Sequence, residues 1–223
     1  ERQSCPIVVA CAGPSLEETI EEILAPLDRK DFVLLAVASA AQALYARDIE
    51  PDLVLSSDGG NWARCHLEES SRRGIPIIYQ LGAMIPSNLE GQSLLVCSNG
   101  SAWHRALLEA RALESPAFIQ RGTVSALAQD IALSLGSREV YMAGLDLKIG
   151  TIQTHARPHG FDHLAWMSES RTRPLWHWHE ERRLMYRRSR ALDIYADWFR
   201  TRDRLDSSRS FLLSSSGVSL YGM

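Results

Sequence analysis

The sequence predicts an α/β fold, a single Rossmann-like domain with a mostly parallel sheet and helices on both faces. Short runs that are apolar throughout, such as residues 7–10, 32–37 and 140–143, alternate with stretches whose apolar residues recur at helical spacing. Strands without polar alternation are buried on both faces, which requires crossover helices on each side. Nearly every such run also ends in glycine, serine, asparagine or aspartate, the residues of tight strand-to-helix turns. A chain of 223 residues, 45% of them hydrophobic, is long enough to bury one large core.

The first unit sets the pattern. Ile7-Val8-Val9-Ala10 breaks at Gly13-Pro14-Ser15 and resumes with Leu16, Glu17 and Glu18, which reads as strand, tight turn and helix start. Gly13 lets the backbone pass close to a ligand, Pro14 suits a first helical turn, and Ser15 sets a hydroxyl beside helix-start N–H groups. Leu16, Ile20, Ile23, Leu24 and Leu27 share one face of a helix over 17–27. Residues 32–37 form the second strand. Ser39 is placed to cap a short alanine-rich helix that stops near Arg47 and Asp48, ahead of Pro51.

Residues 53–56 form a third strand and run into Ser57-Asp58-Gly59-Gly60-Asn61. A helix is predicted over 62–73 and a strand over 75–79, with Pro76 at its start or at an edge. The strand at 94–97 ends in Ser98-Asn99-Gly100-Ser101 and precedes a helix over 102–113; residues 118–119 suggest a short strand. Gly122 and Thr123 open a helix with Val124, Leu127, Ala128, Ile131, Ala132 and Leu135 on one face and Gly136 as its stop. The strand at 139–143 ends in Gly144-Leu145-Asp146.

Beyond Asp146 the character changes. His155, His159 and His163 lie among glycine, threonine, proline and arginine with little periodicity, which predicts a functional lid over about 148–174. One long helix over 175–204 and a last strand over 211–213 follow, the latter closing in serines and Gly217. Residues 171–204 carry ten arginines against five acidic residues, a local cationic surplus suited to anionic ligands. Trp166, Trp176 and Trp178 read as packing residues rather than a sugar platform. The chain reads as one domain over 1–223, with abrupt ends that suggest excision from a longer protein.

Composition narrows the function classes. With 24 basic and 27 acidic residues the chain lacks the field of a general nucleic-acid binder. No segment reads as a membrane span or signal peptide, so a cytoplasmic protein is expected. Cys5, Cys11, Cys65 and Cys97 lack metal-ligand spacing and read as free thiols. The histidines likewise have no partner spacing for zinc, and no metal ligands are assigned. In an open parallel sheet, ligands sit beyond the carboxyl ends of the strands, where the small polar tips are. Together the tips suggest a nucleotide or sugar-phosphate site.

The segments CAGPSLEE, PDLVLSSDGG, GTVSALAQDIALSLGSREVYMAGLDL, THA and FLLSSSGVSLYGM, taken in that order, resemble the MptE-like domain. That domain is found in archaeal 6-hydroxymethylpterin diphosphokinases and in the central region of motility-associated (Maf) flagellin glycosyltransferases. The same segments are more distantly similar to bacterial CMP-sialic-acid-dependent sialyltransferases, which carry a catalytic histidine in a mobile lid. One departure is that Cys11 or Ala12 stands where relatives often have a further glycine.

The resemblance implies that Gly13, Pro14 and Ser15 hold a donor phosphate. It further implies that Gly122, Thr123 and Ser125 contact the nucleotide or donor sugar, and that Asn99 binds ribose or base. Asp58, beside Gly59, and Asp146 would bind polar ligand groups or support Mg²⁺. A lid histidine would serve as general base, because imidazole titrates near neutral pH. His155 is the first choice and His163 the second, with His159, His177 and His179 as competitors. The implied activity is transfer of a nonulosonic acid from a CMP-activated donor to a Ser/Thr hydroxyl of flagellin or another protein. The alternatives are an ATP- and Mg-dependent 6-hydroxymethylpterin diphosphokinase and a nucleotide-binding domain without turnover.

Overall fold

In the computed structural model, which describes residues 5–87, 95–135, 139–147, 153–206, 210–214 and 217–220, the strands in chain order are β1 (Ile7–Ala10), β2 (Val33–Val37), β3 (Leu53–Ser56), β4 (Ile77–Gln80), β5 (Leu95–Cys97), β6 (Val140–Ala143), β7 (Ser210–Ser214) and β8 (Gly217–Leu220). They form one sheet of order β5-β4-β3-β2-β1-β6-β7-β8. All neighbours pair in parallel except β7 and β8, which form an antiparallel edge hairpin. The fold is therefore the α/β Rossmann-like one that the alternation predicts.

Strand β1 is central. Ile7 lies opposite Val33 on one side and Val140 on the other, and Ala10 opposite Ala36 and Ala143. All four of its residues are buried, which is why its sequence shows no alternation. The chain winds away from β1 through β2 to β5 in one direction and crosses to β6 in the other. The winding thus reverses between β1 and β6, the place where an open parallel sheet holds a ligand crevice beyond the strands' carboxyl ends.

The helices are α1 (Leu16–Thr19), which continues as a π-turn over Ile20–Leu24, α2 (Ala38–Tyr45), α3 (Arg64–Arg72), α4 (Ala102–Ala110), α5 (Val124–Ser134), α6 (Asp162–Met167), α7 (Leu175–Ser189) and α8 (Ala191–Asp206). Helix α5 packs over β1, β2, β3 and β6 at the sheet's centre, with Ala126, Ala128 and Ala132 fully buried and Leu127 and Ile131 nearly so. Its small residues let it approach the sheet closely enough for its first turn to overhang the crevice.

Several boundaries differ from the sequence reading. The helix predicted over 17–27 widens from its α register into a π-turn at Ile20, where Ala25 N–H bonds Ile20 O, and residue 25 precedes Pro26. Strand β2 enters α2 with no loop, so Val37 rather than Ser39 occupies the N-cap and Ser39 sits in the first turn. The helix predicted over 175–204 is two, broken at Arg190, whose φ is 53°. A straight rod of that length would run about 45 Å and leave the sheet; the break turns α8 back so that Phe199 enters the core.

Residues 162–167 of the predicted lid form α6, and residues 118–119 form no strand, the bridge there being Ser98 to Ala117. Trp166 and Trp176 are 61% and 56% exposed rather than packed, because α6 and α7 turn them away from the core. Gly136, residues 148–152 of the lid, Ser215 and Ser216 lie outside the described residues.

Candidate functional site

At the divergence of β1 and β6 lies a cavity of about 210 Å³. Its base is built by two strand tips pressed together. Gly13 N–H donates to Gly144 O at 2.8 Å, and a Cβ on Gly13 would stand 2.5 Å from both that oxygen and Asp146 Oδ2. Gly144 has φ +67°, and a Cβ there would meet Cys11 O at 2.5 Å. Both positions therefore exclude a side chain. The contact also places Asp146, whose Oδ2 accepts Ser15 N–H at 2.9 Å. The amide that the sequence offers to a phosphate is thus bonded to a carboxylate within the protein.

The opposite wall is more receptive to an anion. Helix α5 begins behind Thr123, which has extended backbone angles and makes no side-chain cap bond. Thr123, Val124 and Ser125 line the cavity. First-turn N–H groups of an eleven-residue helix carry partial positive charge, worth about 0.3–1 kcal/mol to an anion at the surface and more when buried. Among the described residues lining the cavity there is no lysine or arginine, and Asp146 is the one carboxylate. The Cys11 thiol below is pushed up to about 12, chiefly by burial, eased by a bond to Ser125 and reinforced by the charge of Asp146. It is a neutral wall at physiological pH.

Two further wall residues come from α8, Leu192 and Tyr195. Gly122 has φ +85°, a conformation that favours glycine, and a Cβ there would stand 2.9 Å from Tyr195 Cε1. In the sequence Tyr195 is one of several residues available for packing, and only the break at Arg190 gives it this position.

His155 closes the cavity, and its segment is tied to the first strand unit. Ala156 N–H donates to Ala12 O at 2.9 Å. Arg157 N–H donates to Glu17 Oε1 at 2.8 Å, and the Gln153 amide donates to the same oxygen. Arg47 joins the assembly through Glu17 Oε2 at 3.3 Å and Arg157 O at 3.0 Å. Glu17 reads in the sequence as a helix-start acid, but it anchors the lid. Thr154 Oγ1 lies 3.0 Å from His155 Nδ1 and orients the ring.

His155 also walls a second cavity of about 200 Å³ at the end of β3, which shares Ser39 and Val124 with the first. This one is lined by Ser57, Asp58, His66, His159 and Phe161 among others. Rings run across it in sequence. His155 stacks on His159 at 4.5 Å, His159 meets His66 edge-on at 4.6 Å, and His66 lies 4.4 Å from Phe161. His66 lies on α3, where no neighbouring motif marks it in the sequence.

The structure thus brings Gly13, Pro14, Thr123, Ser125, Asp146 and His155 to one cavity and Asp58 to the adjoining one. Asp58 is exposed, and its Oδ1 accepts Gly60 N–H at 2.8 Å. Ser15 and Gly122 stand beside the lining. Gly59 packs toward Gly82, where a Cβ would meet that carbonyl at 2.7 Å. Asn99 ends β5, four strand positions from β1, or about 19 Å at sheet spacing; its Oδ1 accepts Ser101 N–H at 3.0 Å. His163 is exposed on α6 and lines neither cavity. His179 is buried and lies 2.7 Å from an Arg157 guanidinium nitrogen, and His177 packs against Trp176.

Comparison with known proteins agrees with this architecture. The family model "6-hydroxymethylpterin diphosphokinase MptE-like" matches residues 1–151. A Treponema pallidum (strain Nichols) protein described as uncharacterized is 32% identical over 194 residues, covering 86% of this chain and 41% of that protein. Among solved structures, the Maf glycosyltransferase of Magnetospirillum magneticum AMB-1 shares the fold, with a TM-score of 0.55 and 23% identity over 66% of this chain and 23% of that one. The chain therefore spans less than half the length of either relative. On the match over residues 1–151, the chain belongs to the 6-hydroxymethylpterin diphosphokinase MptE-like family.

Proposed function

We propose that this domain is the catalytic, nucleotide-binding part of a transferase, and that it moves a nonulosonic acid from a CMP-activated donor to a Ser/Thr hydroxyl of a protein such as flagellin. The observation that carries the reading is the cavity at the β1/β6 divergence, with an α5 N-terminus lacking a side-chain cap on one wall and His155 on another. The donor phosphate would sit on the α5 amides rather than at Ser15, whose N–H is bonded to Asp146. Amides aimed at the departing phosphate stabilise its developing charge without reorganisation, an effect of about 2.7–4 kcal/mol for one good donor. His155, oriented at Nδ1 by Thr154, would take the acceptor's proton at Nε2. The fold shared with a Maf glycosyltransferase agrees with a glycosyl transfer.

A second reading draws on the description of the matching family. ATP with Mg²⁺ would donate diphosphate to a pterin alcohol. Asp146 is the cavity carboxylate that would meet the ion, and Mg²⁺ needs only one or two carboxylates besides phosphate oxygens and water. When bound, Mg²⁺ would supply charge neutralisation on the transferring phosphates.

A thermal-shift panel separates the readings. Saturation at about a hundredfold above Kd stabilises by ~2.7 kcal/mol, which is a rise of about 5–10 °C for a domain of this size. CMP and CDP are expected to give that rise and ATP with Mg²⁺ a smaller one; the reverse order selects the diphosphokinase. Binding of CMP without donor turnover, and unchanged in His155→Ala and His163→Ala, would leave a nucleotide-binding domain without chemistry.

A further inference from the structure

We infer that the second cavity, at the end of β3, is the acceptor subsite and that it takes a neutral alcohol. The inference rests on the transferase reading of the first cavity. Donor and acceptor must approach one base from two sides, and His155 is the titratable side chain that lines both cavities. Ser39 and Val124 are shared as well, so an acceptor oxygen beside His155 faces the space where the donor's anomeric carbon would lie. In the transfer, that oxygen forms a bond to the anomeric carbon while the bond from this carbon to the phosphate oxygen breaks. The electron pair leaves with CMP and the proton passes to His155 Nε2.

The lining sets the chemical class. Among the described residues it holds no lysine or arginine, and its one carboxylate is Asp58. An anionic acceptor would meet that carboxylate with no lysine or arginine in the lining to offset the repulsion. Hydroxyls of Ser56 and Ser57 offer donors and acceptors suited to alcohols, and the rings of His66 and His159 line the same space. Phe161, tilted against His66 at 4.4 Å, gives a flat apolar wall for the carbon skeleton. The space suits one hydroxyl-bearing unit, carried on a neutral sugar or on a hydroxyamino acid.

Titration of the full chain, with ¹³C-labelled histidine rings, tests this with methyl β-galactoside, N-acetylserinamide and the anionic methyl β-glucuronide, each with and without CMP. A neutral alcohol is expected to shift the His66 and His159 signals, and the glucuronide to bind more weakly than the galactoside; the tighter of the two neutral probes identifies the carrier. Ser57→Leu, which fills the cavity from a loop, should weaken neutral-probe binding by about tenfold, while the rise in melting temperature with CMP persists and shows that the variant is folded. Neutral probes that leave His66 and His159 unmoved, binding that Ser57→Leu does not weaken, or preference for the glucuronide overturns the assignment even if CMP binds. Failure of CMP to bind the native chain instead overturns the transferase reading, and alcohol binding at His66 would survive it.

Discussion

Strand ends that all carry glycine and a small polar or acidic residue have different fates in two regions of this fold. At the tip of β5, Ser98-Asn99-Gly100-Ser101 spends its polar groups on its own helix. Asn99 Oδ1 accepts from Ser101 N–H, Ser101 Oγ from His104 N–H at 3.3 Å, and Ser98 Oγ from Gly100 N–H at 3.3 Å. At the tips of β1 and β6, Gly13-Pro14-Ser15 and Gly144-Leu145-Asp146 bond to each other and leave a cavity between themselves and the start of α5. Glycine with a small polar or acidic residue marks both regions. Position decides: at the winding reversal the two tips bond each other and open onto the start of α5, whereas at the sheet edge a loop folds over its own helix start.

The comparison can be broken at several points. The largest effect is expected at the joined tips: Gly144→Ala should cost about 3 kcal/mol, since it adds a Cβ at positive φ against a backbone oxygen. Denaturant titration measures it. Next, Glu17→Ala removes the acceptor of Arg157 N–H and the partner of Arg47. It should cost about 1–3 kcal/mol and speed amide exchange at Arg157, with slower turnover because His155 is less well held. At the β5 tip, Ser101→Ala removes an N-cap and should cost about 1 kcal/mol with no change in nucleotide affinity by calorimetry.

The smallest effect concerns the two buried thiols. Cys11 beneath the cavity is raised to about 12 and Cys97 in β5 to about 11, both mainly by burial. A thiol whose folded pKa exceeds its unfolded value of 9.0 leaves stability intact below pH 9 and erodes it as pH rises toward the folded value. For Cys11 this amounts to about 0.4 kcal/mol by pH 9. Melting curves from pH 8 to 10 should flatten in Cys11→Ala. CMP should slow alkylation of Cys11 at pH 9 and leave Cys97 unaffected.

The strands around β1 were legible because both-face burial writes itself as unbroken apolar runs, and residues 53–56 match β3 to the residue. The family was legible in the ordered segments. The cavity's composition was legible only where chemistry and chain order coincide, at Gly13, Pro14, Thr123, Ser125, Asp146 and His155. Tyr195 and His66 arrive from distant helices, one behind a break at an arginine that carries no breaker signal, and no local pattern marks either. Asn99 shows the converse limit: its residue type fits ligand binding, and its place at the end of β5 gives it a turn to close instead.

Amide-resolved NMR titration of the native chain with CMP most directly tests the claim that the winding reversal, rather than strand-end composition, makes the site. Shifts are expected at Gly13, Thr123, Val124, Ser125, Asp146 and His155, with residues 98–104 unmoved. Shifts centred on Asn99 and Ser101, or none at Thr123 and Ser125 at saturating CMP, would contradict it.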